Sequence, residues 1–245
     1  MRKIYLIILA MACMLHLGCT KYDMNSSTGK GGSTARFTIY GDYLYAVNNS
    51  KLSIISISES AHARVVAVTP IGENIETIYP YQGKLFIGSA NAMYIYSLDD
   101  PERPMLEGMA SHVRACDPVV AYGNFAFVTV RGGDNQSPCG GNTNALFVYN
   151  ILNLKSPRLL HTYNMKNPHG LGVVEDYLYV CDASAGLYVF DIKNPARPNV
   201  RKVLSGYVFE DVIPYDDLLI CKVLGGMVIY DISNPGEPIF VAKTF

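Results

Sequence analysis

The stretch "GLYVFDIKNPARP" at residues 186–198 returns forty residues later as "GMVIYDISNPGEP" at 226–238. Each copy opens with an apolar run and reaches Asp. Each then passes through an Asn-Pro pair and stops at a second Pro. Asp and Asn side chains bond nearby backbone amides, while Pro fixes φ and cannot donate to a ladder. The stretch therefore reads as a strand, its exit turn and the start of the next strand. It is scaffold rather than chemistry.

Working outward, the same unit recurs in weaker form as "LSIISIS" at 52–58, "MYIYSLDDPERP" at 93–104 and "LFVYNILNLKSP" at 146–157. Ser56, Ser97, Asn150, Asp191 and Asp231 form one column, spaced by 41, 53, 41 and 40 residues. A second anchor precedes each copy: "DYLYAV" at 42–47, "GKLFIG" at 83–88, "GNFAFV" at 123–128, "DYLYVC" at 176–181 and "DDLLIC" at 216–221. Its column, Tyr45, Phe86, Phe127, Tyr179 and Ile220, steps by 41, 41, 52 and 41. The single long step in both columns is caused by "RGGDNQSPCGGNTN" at 131–144, an insertion in the third unit.

These stretches resemble the LVIVD repeat, most clearly in "LYVFD" and "MVIYD", less in "LFVYN" and "MYIYS", and least in "LSIIS". The resemblance spans residues 35–245. It implies a β-propeller of the kind found in bacterial surface and secreted proteins, and it implies no single activity. The residues support the same fold independently. A period of about 40 suits four strands per blade. Each unit reads as strand A ("IETIY", 75–79), B ("KLFIG", 84–88), C ("MYIYSL", 93–98) and D ("MLEGMA", 105–110). Apolar runs such as "MVIY" suit strands covered on both faces. Five units predict an all-β, five-bladed β-propeller over residues 35–245, closed so that few sheet edges stay free. A β-sandwich or open array is the alternative.

The chain's 245 residues are 49% hydrophobic and 17% charged, which supports a packed core. Net charge is −1 with no basic cluster, which argues against nucleic acid as a partner. The N-terminus is a different kind of text. Arg2 and Lys3 precede "IYLIILAMACMLHLG", too short to span a bilayer, and then comes Cys19. "HLGC" resembles a bacterial lipobox, which implies a signal peptide over 1–18 and lipidation at Cys19; an ordinary cleaved secretory signal is the alternative. Residues 19–34 then read as the lipidated Cys followed by a flexible Gly/Ser-rich tether. The expectation is an exported lipoprotein held at a bacterial membrane, the outer membrane first, through its N-terminal lipid.

Projecting the register back to strand A gives a column of Ala35, Glu76, Asp117, His169 and Glu210, followed by Arg36, Thr77, Pro118, Gly170 and Asp211. Three carboxylates and a histidine would then ring one mouth of the central channel. Such a ring suits a polar ligand or a divalent cation, and no other cofactor is evident. The insertion joins strands B and C, so Arg131 and Asp134 should rise on the same face. Cys116 and Cys139 map to that face as a disulfide candidate, whereas Cys181 and Cys221 read as small packed residues. No nucleophile motif or phosphate loop accompanies His169. Three functions remain open. One is a non-catalytic binding module for a protein or glycan partner. Another is a glycan-directed hydrolase or lyase using Glu76, Asp117, His169 and Glu210. The last is a structural subunit of an envelope complex. The balance leans away from an enzyme.

Overall fold

The computed structural model describes residues 32–59, 61–112, 118–132 and 142–245. Their regular structure is all strand, and no helix among them is long and apolar enough to cross a membrane. Twenty strands form five antiparallel four-stranded sheets in sequence order, which is a five-bladed β-propeller. Blade one holds β1 (Phe37–Tyr40), β2 (Tyr43–Asn48), β3 (Lys51–Ser56) and β4 (Arg64–Pro70). Blade two holds β5 (Ile75–Tyr81), β6 (Lys84–Ser89), β7 (Ala92–Ser97) and β8 (Met105–Ser111). Blade three holds β9 (Val119–Tyr122), β10 (Phe125–Arg131), β11 (Asn144–Asn150) and β12 (Arg158–Asn164). Blade four holds β13 (Leu171–Val174), β14 (Tyr177–Cys181), β15 (Leu187–Asp191) and β16 (Asn199–Leu204). Blade five holds β17 (Phe209–Tyr215), β18 (Leu218–Val223), β19 (Gly226–Asp231) and β20 (Ile239–Lys243).

The repeated stretch folds as its residue types dictate. In blades two to five, the last residue of the third strand turns its side chain onto the amide two residues on. Asp191 accepts from Lys193 N at 2.9 Å, Asp231 from Ser233 N at 2.7 Å and Asn150 from Leu152 N at 2.9 Å. The turn also ties one blade to the next. Tyr45 Oη donates to the Pro101 carbonyl at 2.8 Å, and Tyr179 Oη to that of Pro235 at 2.7 Å. Each tyrosine belongs to the blade before the proline, so the sequence motif doubles as an inter-blade clasp. Between third and fourth strands, every blade carries a bulge at one level: Ile54, Ile95, Val148, Val189 and Ile229. A bulge there bends the outer strand and increases its twist, which blunts a free edge.

The core lies between blades, as expected for strands covered on both faces. One apolar cluster joins blades one and two, a second two and three, a third three and four, and a fourth four and five. The joint from blade five back to blade one differs from the expected closed ring. Phe37 is 61% exposed, while its counterparts Ile78, Val119, Leu171 and Val212 are buried. Among the described residues, that joint is bridged by polar contacts from the segment before β1.

Candidate functional site

The loops from each fourth strand to the next first strand share a face with the loops from second to third strands. Val47 N donates to the Arg36 carbonyl at 2.8 Å, Thr129 N to Pro118 at 3.1 Å and Cys181 N to Gly170 at 2.9 Å. Thr77 and Asp211 reach the same level by pairing with Gly88 and Lys222. One residue earlier, the chain is irregular. Glu76 is the extra residue of a bulge between Ile75 and Thr77, and Glu210 of one between Phe209 and Asp211. His169 N donates to the Cys181 carbonyl at 2.8 Å, so Cys181 faces both His169 and Gly170. A bulge re-aims the side chain it carries and is common at rims and functional sites. Three blades use one to hold Glu76, His169 and Glu210 at the mouth.

Arg131, at the end of β10, places Nη1 at 3.3 Å from His169 Nε2. A guanidinium only donates, so Nε2 accepts and the imidazole proton sits on Nδ1. Burial, and then the Arg131 charge, push the His169 pKa down to about 4, against the opposing pull of Glu210 and Asp182. The ring is therefore neutral at physiological pH. Burial also lowers the Arg131 pKa, partly offset by Glu76. Glu210 pairs with Lys222 at 2.9 Å, and its hydrogen bond raises the lysine pKa. Thr129 Oγ1 donates to the His169 carbonyl at 2.6 Å.

Two further carboxylates, Asp182 and Asp211, organise this face. Buried Asp182 accepts from Lys166 N at 3.1 Å and Asn167 N at 2.5 Å, which pins the loop carrying His169. Asp211 accepts from Thr34 Oγ1 at 2.5 Å and Val212 N at 2.9 Å, and burial raises its pKa. A Cβ on Gly170 would run into the Asp211 carboxyl, as would one on Gly32, so both glycines are needed for this approach. Ser33 is buried, and its Oγ accepts from Leu171 N at 2.7 Å. The Ala35 carbonyl accepts from Ile78 N at 2.9 Å. Residues 32–35 thus cross the mouth, touching blades five, four and two. The folded body starts no later than Gly32, so it takes in the last three residues of the expected tether.

The structure therefore brings together Glu76, Arg131, His169 and Glu210. Asp117, Asp134, Cys19, Cys116 and Cys139 lie outside the described residues. The insertion leaves β10 at Arg131 and rejoins β11 at Asn144, which is the expected face. Among the described residues, no group of three His, Cys, Asp or Glu side chains is placed to hold a metal ion. Cys181 and Cys221 are free and fully packed, and burial pushes both thiols well up. Sequence reasoning missed the roles of Asp182, Lys222 and the Ser33–Thr34 strap. Lys222 could have been found, since it stands in the column of apolar Val47 and Cys181.

The LVIVD repeat model matches residues 31–67, 169–203 and 220–244, which fall in blades one, four and five. The match in blade one is notable, since "LSIIS" is the copy least like the motif. No curated protein matches the sequence. Among solved structures, the chain is similar to a protein from Lactobacillus plantarum, at 12% identity and TM-score 0.66, over 82% of this chain and 67% of that one. It is similar to the periplasmic gluconolactonase PpgL of Pseudomonas aeruginosa, at 13% identity and TM-score 0.62, over 83% of this chain and 67% of that one. It is also similar to BamB from Moraxella catarrhalis, at 7% identity and TM-score 0.60, over 80% of this chain and 56% of that one. The chain thus spans about three-fifths to two-thirds of the solved structures it matches. At these identities the likeness shows the fold alone.

Proposed function

We propose that the chain is an exported bacterial lipoprotein, anchored through Cys19, whose propeller is a non-catalytic binding module for a protein or glycan partner in the cell envelope. The observation that carries the reading is the mouth itself. Side chains from blades two to five meet there on a rigid scaffold, and their charges are already satisfied: Glu210 by Lys222 and Asp182 by two amides. Arg131 donates to a neutral His169. Pre-paired groups of this kind suit fixed polar recognition. A hydrolase needs an acid and a base free to exchange protons with substrate. The 131–144 insertion leaves and rejoins its blade on this face, at the Arg131–Asn144 pair, and a long loop there is a common place for binding residues.

The test is thermal unfolding of the purified full chain against envelope glycans and divalent cations. A ligand at 100 times its dissociation constant adds about 2.7 kcal/mol, a rise of roughly 5–10 °C for a domain this size. The rise should vanish in a combined Arg131→Ala, His169→Ala and Glu210→Ala variant. Turnover of a glycan that is abolished by Glu76→Gln or Glu210→Gln would replace the reading with the hydrolase. For the anchor, Cys19→Ser should abolish palmitate labelling and release the protein from membranes; unchanged membrane association would refute lipidation.

A further inference from the structure

We propose that a second copy of this chain docks on the outer edge of blade five, where β20 pairs antiparallel with itself across a two-fold axis. The outer strand of each blade leaves one edge without a neighbour in its sheet. Such edges invite pairing with another chain, and charges or proline within the strand discourage it. β4 begins with Arg64 and ends in Pro70. β8 carries Glu107, which turns back onto Lys84 at 2.8 Å. β12 carries Arg158 and His161, and β16 carries Arg201 and Lys202. β20 reads "IFVAK", with neither a proline nor a charge before its last residue. All five of its residues are exposed, Ile239 by 66%, Phe240 by 51% and Val241 by 53%.

This edge is bare because a cover is missing. The exit turn of one blade lies on the outer strand of the blade before it. In blade five, the Gly236 carbonyl accepts from Arg201 Nε of β16 at 3.1 Å, and Glu237 takes Arg201 and Lys202, each at 2.9 Å. In blade three, the turn at Leu154 sits so close to β8 that a Cβ on Gly108 would run into its carbonyl. The turn that would cover β20 belongs to blade one, residues 57–63, and "ISESAHA" has no proline. Among the described residues, no hydrogen bond or ion pair joins it to β20. β20 thus lies at the rim of the open five–one joint.

A second copy fits this edge by symmetry and by charge. Antiparallel pairing centred on Val241 sets Val241 against its own copy, Phe240 against Ala242 and Ile239 against Lys243 of the other chain. An isologous contact of this kind uses one patch twice and closes at two copies. Apolar residues then face one another across the axis. The Lys243 stem covers Ile239. The two ammonium groups stand at opposite ends, roughly 14 Å apart along the strands and beyond one Debye length. The same operation on β16 would set Arg201 against Lys202, two like charges. A five-residue strand pair falls short of the roughly 800 Å² per partner of a stable complex, so the dimer is weak and forms as concentration rises.

The experiment is sedimentation equilibrium of the purified full chain from about 1 to 200 µM, a span suited to a weak interface. The mass should climb from monomer toward dimer. Val241→Lys sets two like charges on the axis and should weaken association at least tenfold, while circular dichroism shows an intact fold. Val241→Cys should give a disulfide-linked dimer under copper–phenanthroline, whereas Val68→Cys, similarly exposed on β4, should not. A monomer throughout, with no cross-link at 241, would overturn the proposal. Association that Val241→Lys leaves unchanged would place the contact elsewhere and equally overturn it. So would assembly beyond two copies, or a cross-link at 241 to a different protein in intact cells.

Discussion

Two joints of one ring behave differently. Between blades four and five, Tyr179, Cys181, Leu187 and Val189 meet Phe209, Leu219, Cys221 and Val228, all fully buried. Around that core, Tyr179 reaches the Pro235 carbonyl, and Glu237 receives Arg201 and Lys202, each at 2.9 Å. Between blades five and one, the same columns hold apolar residues that nothing covers to the same degree. Leu44 and Ile220 are only partly buried, where Leu219 and Tyr179 are fully so. Leu218 and Met227 are 38% and 46% exposed. Among the described residues, Thr34 bridges this joint by a hydrogen bond to Asp211. A repeat protein sums near-identical joints, so one weak joint sets where it opens first.

The largest expected effect is at the strong joint. Tyr179→Ala removes a buried ring and its clasp to Pro235, and should cost about 3–5 kcal/mol in urea unfolding. A loss under 1 kcal/mol would show that the four–five joint relaxes around the cavity. Next comes the polar strap. Asp211→Ala leaves Thr34 Oγ1 and Val212 N without their acceptor, and should cost about 1–3 kcal/mol. Hydrogen exchange in that variant should rise at β1 and β17 first; a uniform rise across the blades would count against a local strap.

The smallest effect is a pH dependence. His169 is held neutral with a pKa of about 4, below its ordinary 6.5. Between those values the unfolded chain takes up a proton that the native ring refuses, so stability falls as pH drops from 6.5 to 4 and is fully present above that window. Because the ring is partly exposed, solvent screening trims the amplitude to on the order of 1 kcal/mol. His169→Gln should flatten the pH profile by that amount. An identical profile in the variant would mean that the histidine is not desolvated.

The strength of each column decides how much of this was legible beforehand. Blade number, strand order and the exit turns followed from two columns that agree, because every copy faces the same packing demand. The mouth residues Glu76, His169 and Glu210 followed from the same register, although the bulges that aim them leave no mark in residue type. The strap was hidden, since Ser33 and Thr34 bond residues more than 130 positions away and have no repeated counterpart. Their Gly/Ser-rich surroundings read as tether. The weak joint was hidden for the opposite reason. Leu44, Ile55, Ile220 and Ile229 obey the apolar pattern as faithfully as their buried counterparts, so sequence alone implies a ring packed equally all round.

One pair of substitutions tests this account most directly. Leu44 and Leu219 occupy one column, the first at the five–one joint and the second at the four–five joint. Leu219→Ala should lower unfolding stability by about 2–5 kcal/mol, and Leu44→Ala by about 1 kcal/mol or less. Equal losses at the two positions would mean that the fifth joint packs like the others, and would contradict the account.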